Sequence, residues 1–132
     1  MKAPKTGKHQ PLVSVDNYEP IDGHFAPNTD AKALSIGKAQ YNHGDISMKV
    51  WRHTGDQWSP QSEELPIHRN LDLTILFLDV LLEEEANSVS PLWNISGEES
   101  EKQAIREYYK SNEKFIKPRL KEIKGLLHKM EL

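Results

Sequence analysis

The sequence contains no cysteine. This absence excludes a disulfide framework, a thiol nucleophile and any zinc site built on cysteine ligands. A cysteine-free chain suits the reducing cytoplasm, and residues 1–13 contain no apolar segment of the kind that secretory signals carry. We therefore expect a soluble cytoplasmic protein.

Long hydrophobic segments and an excess of basic residues are also absent. The apolar run from Leu71 to Leu82 is too short and too acidic to span a bilayer. The formal net charge of -3 and the pI near 6.1 remove the general attraction that basic proteins have for nucleic acids and anionic membranes. We expect no membrane partner and no nucleic-acid partner.

The motifs that mark common enzyme classes are missing as well. The sequence has no glycine-rich phosphate loop, no H-E-x-x-H, no G-x-S-x-G and no calcium-binding loop. We therefore predict no cofactor and no metal, and the sequence favours a non-enzymatic protein over an enzyme.

The stretch from Ser59 to Asn87 predicts the central helix of the fold. Its apolar run is interrupted only by Asp72 and Asp79, so we expect this helix to be buried. Ser59 and Pro60 resemble a cap and first turn, whereas Pro66 is tolerated only near a helix start. The alternatives are one kinked helix or a break followed by a new helix at Pro66, and an interior proline costs enough to favour the break. Residues 87–91 should end the helix.

The preceding residues predict an antiparallel hairpin. Residues 33–41 and 46–53 have strand character, and residues 42–45 have the composition of a turn. Pairing Tyr41 with Ile46 would place small and large apolar side chains on one face, which we expect to cover the central helix. Residues 12–15 predict a further short strand.

The C-terminal third predicts two more helices. Ser96 and Glu99 have the spacing of a capping box, and Ser111-Asn112 is a plausible stop and restart. Pro118 predicts a kink or a later helix start. One stripe, apolar except for Asn112, recurs at three and four positions to the C-terminus and comprises Ile105, Tyr109, Asn112, Ile116, Leu120, Ile123, Leu127 and Met130.

Together these elements predict an α+β fold, in which a short antiparallel sheet packs on a layer of three helices. At 132 residues the chain suits a single domain, with residues 1–10 as a mobile tail or a strap across the surface. The helices offer more apolar surface than one small sheet readily covers, so we predict a homo-oligomer, most simply a dimer.

The hairpin-to-helix junction is the candidate site. Glu64 and His68 would lie one helical turn apart, and Arg52 and Arg69 would supply anion recognition. The same polar residues also fit a solvated helix face with no binding role. A metal would need a further ligand from another segment, for which the available residues are Asp72, His53, His24 and His43.

The segment from Ile46 to Leu73, and above all VWRHTGDQWSPQSEELPIHRNLDL, resembles a family of small bacterial proteins of unknown function. The resemblance implies no activity and identifies no site residue. Two functions remain: a non-enzymatic interaction or regulatory protein, and a small ligand-binding or hydrolytic domain with an anion site at the junction.

Overall fold

The computed structural model describes residues 1–60, 62–82 and 95–132. Within these ranges the chain forms four strands and three helices, which confirms the α+β class. The strands are β1 (Gln10–Asp16), β2 (Ala31–Lys38), β3 (Ile46–Arg52) and β4 (Glu64–Pro66), and the helices are α1 (Ile67–Leu82), α2 (Glu99–Ser111) and α3 (Glu113–Lys129).

The four strands form one antiparallel sheet in the order β1-β2-β3-β4. The chain divides into two compact units, residues 1–73 and 74–132. The first unit holds the sheet and the start of α1, and the second holds the rest of α1 with α2 and α3. The prediction of a single domain stays a prediction.

The predicted strand at residues 12–15 and the predicted hairpin are both present, but the predicted register of the hairpin is wrong. Ile46 pairs with Lys38 rather than with Tyr41, and Met48 pairs with Ile36. The physical reason is the length of the turn, because residues 39–45 all lie outside the two strands. The three-residue shift changes which side chains share a face, since neighbouring residues of a strand point to opposite faces.

The predicted helix start at Ser59 and Pro60 is also wrong. Glu64–Pro66 forms the fourth strand, paired with Ser47–Lys49, and α1 begins at Ile67. Pro66 ends an edge strand, where proline is tolerated because a missing ladder donor does little harm. The predicted break with a new helix at Pro66 is confirmed to within one residue, but the segment that it separates from α1 is a strand rather than a helical turn.

The central helix is less buried than its composition predicts. Val80 is the one buried side chain of α1, whereas Leu71, Leu73 and Leu82 are 54%, 55% and 64% exposed. The predicted end of this helix at residues 87–91 lies outside the described residues. No helix of the described ranges combines the length and the apolar character needed to cross a bilayer.

The helical unit is held by contacts of α2 with the second half of α1. Phe77 and Tyr109 meet edge to face, and the Arg106 side chain donates to the carbonyl oxygen of Val80 at 2.8 Å. The predicted capping box is displaced by two residues, because Glu98 caps α2 and pairs with Glu101. The stop and restart at residue 112 is confirmed, and α3 includes Pro118.

Candidate functional site

The predicted junction residues fall at two separate places. Arg52 ends β3, and its guanidinium donates to Glu63 and, over 2.6 Å, to Asp30. These hydrogen bonds raise the pKa of Arg52, while the same contact with Arg52 lowers the pKa of Glu63. Two carboxylates therefore already use the donors of Arg52, one of the two arginines that were expected to bind an anion.

Glu64 lies on the opposite face of the sheet from Arg52, because it pairs with Lys49 and neighbouring residues of β3 alternate in direction. Its Oε2 accepts from the Ser47 hydroxyl at 2.8 Å and from the backbone N–H of Gln40 at 3.0 Å. Burial alone would raise the pKa of Glu64, but these two hydrogen bonds and nearby positive charge lower it below the ordinary value.

His68 and Arg69 lie exposed in the first turn of α1. Because Glu64 belongs to a strand, it does not share a helical face with His68, which corrects the geometry on which the site was predicted. The structure thus does not gather Arg52, Glu64 and His68 in one cleft. A ligand role for the four residues stays a prediction. In the described ranges no group of three or more His, Asp and Glu side chains is placed to hold a metal ion.

A polar cluster that the sequence did not indicate lies on the same face as Glu64. Its centre is His9, which is 1% exposed although it belongs to the predicted tail. Nδ1 of His9 lies 2.9 Å from the Ser47 hydroxyl, and Nε2 lies 2.9 Å from the Ser35 hydroxyl. Trp51 donates its indole N–H to Ser35 at 2.8 Å. Residues 1–9 are thereby tied to the sheet as a strap.

These contacts form one continuous chain of donors and acceptors. Ser47 donates to Glu64, so it accepts from Nδ1–H of His9. When Nε2 carries no proton, it accepts from the Ser35 hydroxyl, whose oxygen accepts from Trp51. This arrangement needs a neutral imidazole. Consistently, burial lowers the pKa of His9, an effect that Glu64 opposes and Lys49 reinforces.

Serine, histidine and glutamate are also the components of a hydrolytic triad, but this cluster lacks access. Ser47 is 0% exposed and Ser35 is 5% exposed, so neither hydroxyl is presented to a substrate. A nucleophile must reach the reacting carbon, whereas these hydroxyls join the strap to the sheet. The cluster therefore serves structure.

Small residues make room for the strap. On β2 every second residue is buried, and these residues are Ala31, Ala33, Ser35 and Gly37. A Cβ at Gly37 would lie 2.0 Å from the carbonyl oxygen of Gln10, at the start of β1 where the strap continues into the sheet, so only glycine fits at this close approach. We call this side of the sheet the closed face. The alternation of small residues was visible in the sequence, but the incorrect register concealed its meaning.

The other side of the sheet is apolar and accessible, and we call it the open face. Two cross-strand rows run over it. The first row is Val15, Leu34 and Val50, and the second is Val13, Ile36, Met48 and Leu65. These residues line a groove of about 600 Å³, and Val13 and Val15 are 61% and 48% exposed.

A smaller cavity of about 360 Å³ adjoins the groove and shares Val50 and Glu63 with it. We call it the acidic pocket, because Asp22, Asp30 and Glu63 line it with Arg52 as the one cation. Phe25 also lines it and is 63% exposed. The loop that carries Phe25 therefore covers a pocket rather than filling the core.

Comparison with known proteins gives a family but no activity. A family model described as a family of unknown function (DUF6530) matches residues 1–98. No curated protein and no solved structure matches the chain. The matched range includes the whole sheet, the strap and both cavities.

Proposed function

Because the chain belongs to the DUF6530 family, which brings no known activity, we propose a function from the geometry: a non-enzymatic interaction or regulatory protein that acts as a homo-oligomer, most simply a dimer. The open face is the observation that carries this proposal. Soluble monomers rarely leave contiguous apolar patches of this kind in water. A cytoplasmic location and a bacterial origin remain part of the proposal.

The contrast with the closed face supports an interaction role. Three polar side chains near the sheet already have partners in the structure: His9 bonds two serines, Oε2 of Glu64 accepts two hydrogen bonds and Arg52 binds two carboxylates. A catalytic centre usually keeps such groups accessible to substrate. The accessible surface here is instead hydrophobic and suits another protein surface.

A second copy of the chain is the partner that we propose for the open face. The helices also leave apolar side chains in water, and Leu71 and Leu127 are 54% and 46% exposed. Each chain therefore carries both an apolar sheet face and apolar helical faces. Reciprocal contacts between two copies would bury both kinds of surface and close the assembly with two-fold symmetry.

The alternative is a small ligand-binding domain with an anion site at the junction. For this function an anion would have to displace Glu63 or Asp30 from Arg52, which weakens anion recognition at that site. An apolar ligand in the groove is compatible with the same geometry. The oligomeric state of the full chain separates self-association from ligand binding.

Sedimentation velocity of the full chain between about 1 and 100 μM tests the proposal, because this range covers ordinary dimer affinities. We expect a dimer that dissociates on dilution. Val13→Lys with Val15→Lys should give a monomer with an unchanged circular dichroism spectrum, since charges would be buried in the interface. Gln40→Lys with Gln57→Lys adds the same charge at exposed positions and should remain a dimer. A wild-type monomer throughout this range would refute self-association and favour the ligand.

A further inference from the structure

Helix α3 carries an apolar stripe that matches the groove on the open face, on the premise that the protein self-associates as proposed above. The stripe of α3 follows a four-three spacing through Ile116, Leu120, Ile123 and Leu127. No residue of α3 is buried, and Ile123 and Leu127 are 40% and 46% exposed. This is the stripe that an amphipathic helix normally places against another layer.

The charges of α3 argue against pairing with a second α3. The helix carries six Lys and Arg residues against two Glu residues. Lys117, Arg119 and Lys124 lie beside the stripe, at about 60° to 100° from its centre on a helix of 3.6 residues per turn. Two such stripes face to face would place cations against cations, which destabilises helix pairs.

The surroundings of the open face have the opposite charge. The acidic pocket adjoins the groove and contributes three carboxylates and one guanidinium. An apolar helix with basic edges therefore matches the groove in hydrophobicity and in charge. A helix packed on the face of a sheet is also one of the few stable ways to cover such a face.

From this match we infer that α3 of a second copy lies in the groove of the open face, with Lys117 and Lys124 directed toward the acidic pocket. The exchange is reciprocal, so each chain offers its groove and its helix to the other. The apolar stripe supplies most of the buried surface, and the charges set the orientation of the helix.

The absence of native cysteine makes the arrangement directly testable by disulfide formation. Single-cysteine chains are made with Val13→Cys or Val15→Cys on the open face, and with Ile123→Cys or Leu127→Cys on α3. Each open-face chain is mixed with each α3 chain and oxidised. A disulfide needs Cα atoms about 4.4–6.8 Å apart, so efficient cross-linking reports close contact. Lys121→Cys is the matched control, because residue 121 lies about 140° from the stripe.

We expect mixed cross-linked dimers from at least one open-face and α3 pair, and at most background from Lys121→Cys. A dimer in sedimentation that cross-links in none of the four mixtures would overturn the inference and leave the proposed function intact. A monomer would overturn both. A chain that carries one open-face cysteine and one α3 cysteine serves as a further variant. If it is a monomer and forms an intramolecular disulfide, α3 covers the groove of its own chain.

Charge reversal tests the orientation independently. Lys117→Glu with Lys124→Glu should weaken the dimer by about tenfold or more, as reversed interfacial charges do. Lys114→Glu with Lys121→Glu makes the same change in net charge on the far side of α3 and should have less than about a threefold effect. Asp22→Lys with Glu63→Lys in the partner chain should restore dimerisation of the first variant. Equal weakening by both α3 variants, without rescue, would contradict the proposed orientation.

Discussion

The two faces of the sheet differ in how far the chain itself covers them. The closed face is completed within the chain, because the strap brings His9 to Ser35 and Ser47 and gives both ring nitrogens a buried hydrogen-bond partner. The open face presents two rows of apolar side chains and a groove of about 600 Å³. Glu63 and Glu64 show the difference in one step of the chain, since one lines the acidic pocket and the other belongs to the buried cluster.

The two faces should contribute to different properties, the closed face to stability and the open face to the proposed association. Buried hydrogen bonds on the closed face stabilise the fold, because breaking any of them leaves polar groups without water. Side chains on the open face should contribute little to the stability of an isolated chain, whereas the association that we propose depends on them. Matched substitutions on the two faces should therefore change different measured quantities.

Trp51 should give the largest loss of stability. It packs against Ala3, Ala33 and Trp58, and it donates to Ser35. We expect Trp51→Ala to lower the free energy of unfolding by about 4 kcal/mol, as removal of a buried aromatic side chain does. Val15→Ala on the open face should cost less than about 1 kcal/mol in the monomer. Urea denaturation below the concentration of dimerisation measures both, and equal losses would remove the distinction between the faces.

Ser47 should have the next largest effect. Ser47→Ala removes the hydroxyl that joins His9 to Glu64, and leaves a buried N–H and a buried carboxylate without this partner. We expect a loss of about 2 kcal/mol, which is typical for unsatisfied buried polar groups. Ser14→Ala is the control, because Ser14 is exposed and hydrogen-bonds only weakly to Asp16 at 3.1 Å. A change below that of Ser14→Ala would show that the chain of hydrogen bonds does not stabilise the fold.

Sequence reasoning identified the elements of the fold better than their junctions. The strands at residues 31–38 and 46–52 and the helices near residue 112 follow from alternation, propensity and breakers. The register and the short strand at Glu64–Pro66 do not, because both depend on pairing between distant segments. Because Glu64 lies in this strand, Glu64 and His68 do not have the helical spacing on which the predicted site was based.

Local sequence patterns could not predict the buried cluster around His9. His9 lies in a polar, basic segment that resembles a disordered tail, and its partners are 26 and 38 residues away. Only the folded sheet brings these residues together. The alternation of small residues in β2 was the available signal, since a strand with one side of Ala, Ser and Gly leaves space for another segment.

Acid should weaken the closed face selectively. The pKa of His9 in the folded chain lies below its ordinary value of 6.5, so between these two values the unfolded chain binds more protons. The contribution of neutral His9 to the free energy of unfolding is therefore fully present above about pH 6.5. It is lost as the pH falls toward the pKa that His9 has in the folded chain. Glu64 acts in the same direction at lower pH, since its folded pKa lies below the ordinary value of 4.5.

Denaturation curves from pH 8 to pH 5 measure the contribution of His9. His9→Gln should be less stable at pH 8 and should flatten the decrease that the wild-type protein shows below pH 6.5. His128→Gln, in the last turn of α3 and outside the buried cluster, is the control for replacing a histidine. A wild-type profile that is flat between pH 8 and pH 5 would show that His9 does not need to be neutral in the fold.

The smallest effect should come from the ion pairs beside the open face. Arg52, Asp30 and Glu63 form a bridge whose side chains are 37% to 50% exposed, so solvent and salt screen it. We expect Glu63→Gln to lower the free energy of unfolding by about 0.5 kcal/mol at low salt and by less in 0.5 M sodium chloride. Arg52→Lys keeps the charge but removes the planar fork, and it should lose a similar amount.

Glu64→Gln makes the same chemical change as Glu63→Gln on the closed face, where salt has little access, and its larger cost should therefore be independent of salt. The same salt dependence for the two glutamate variants would show that the closed face is accessible to solvent.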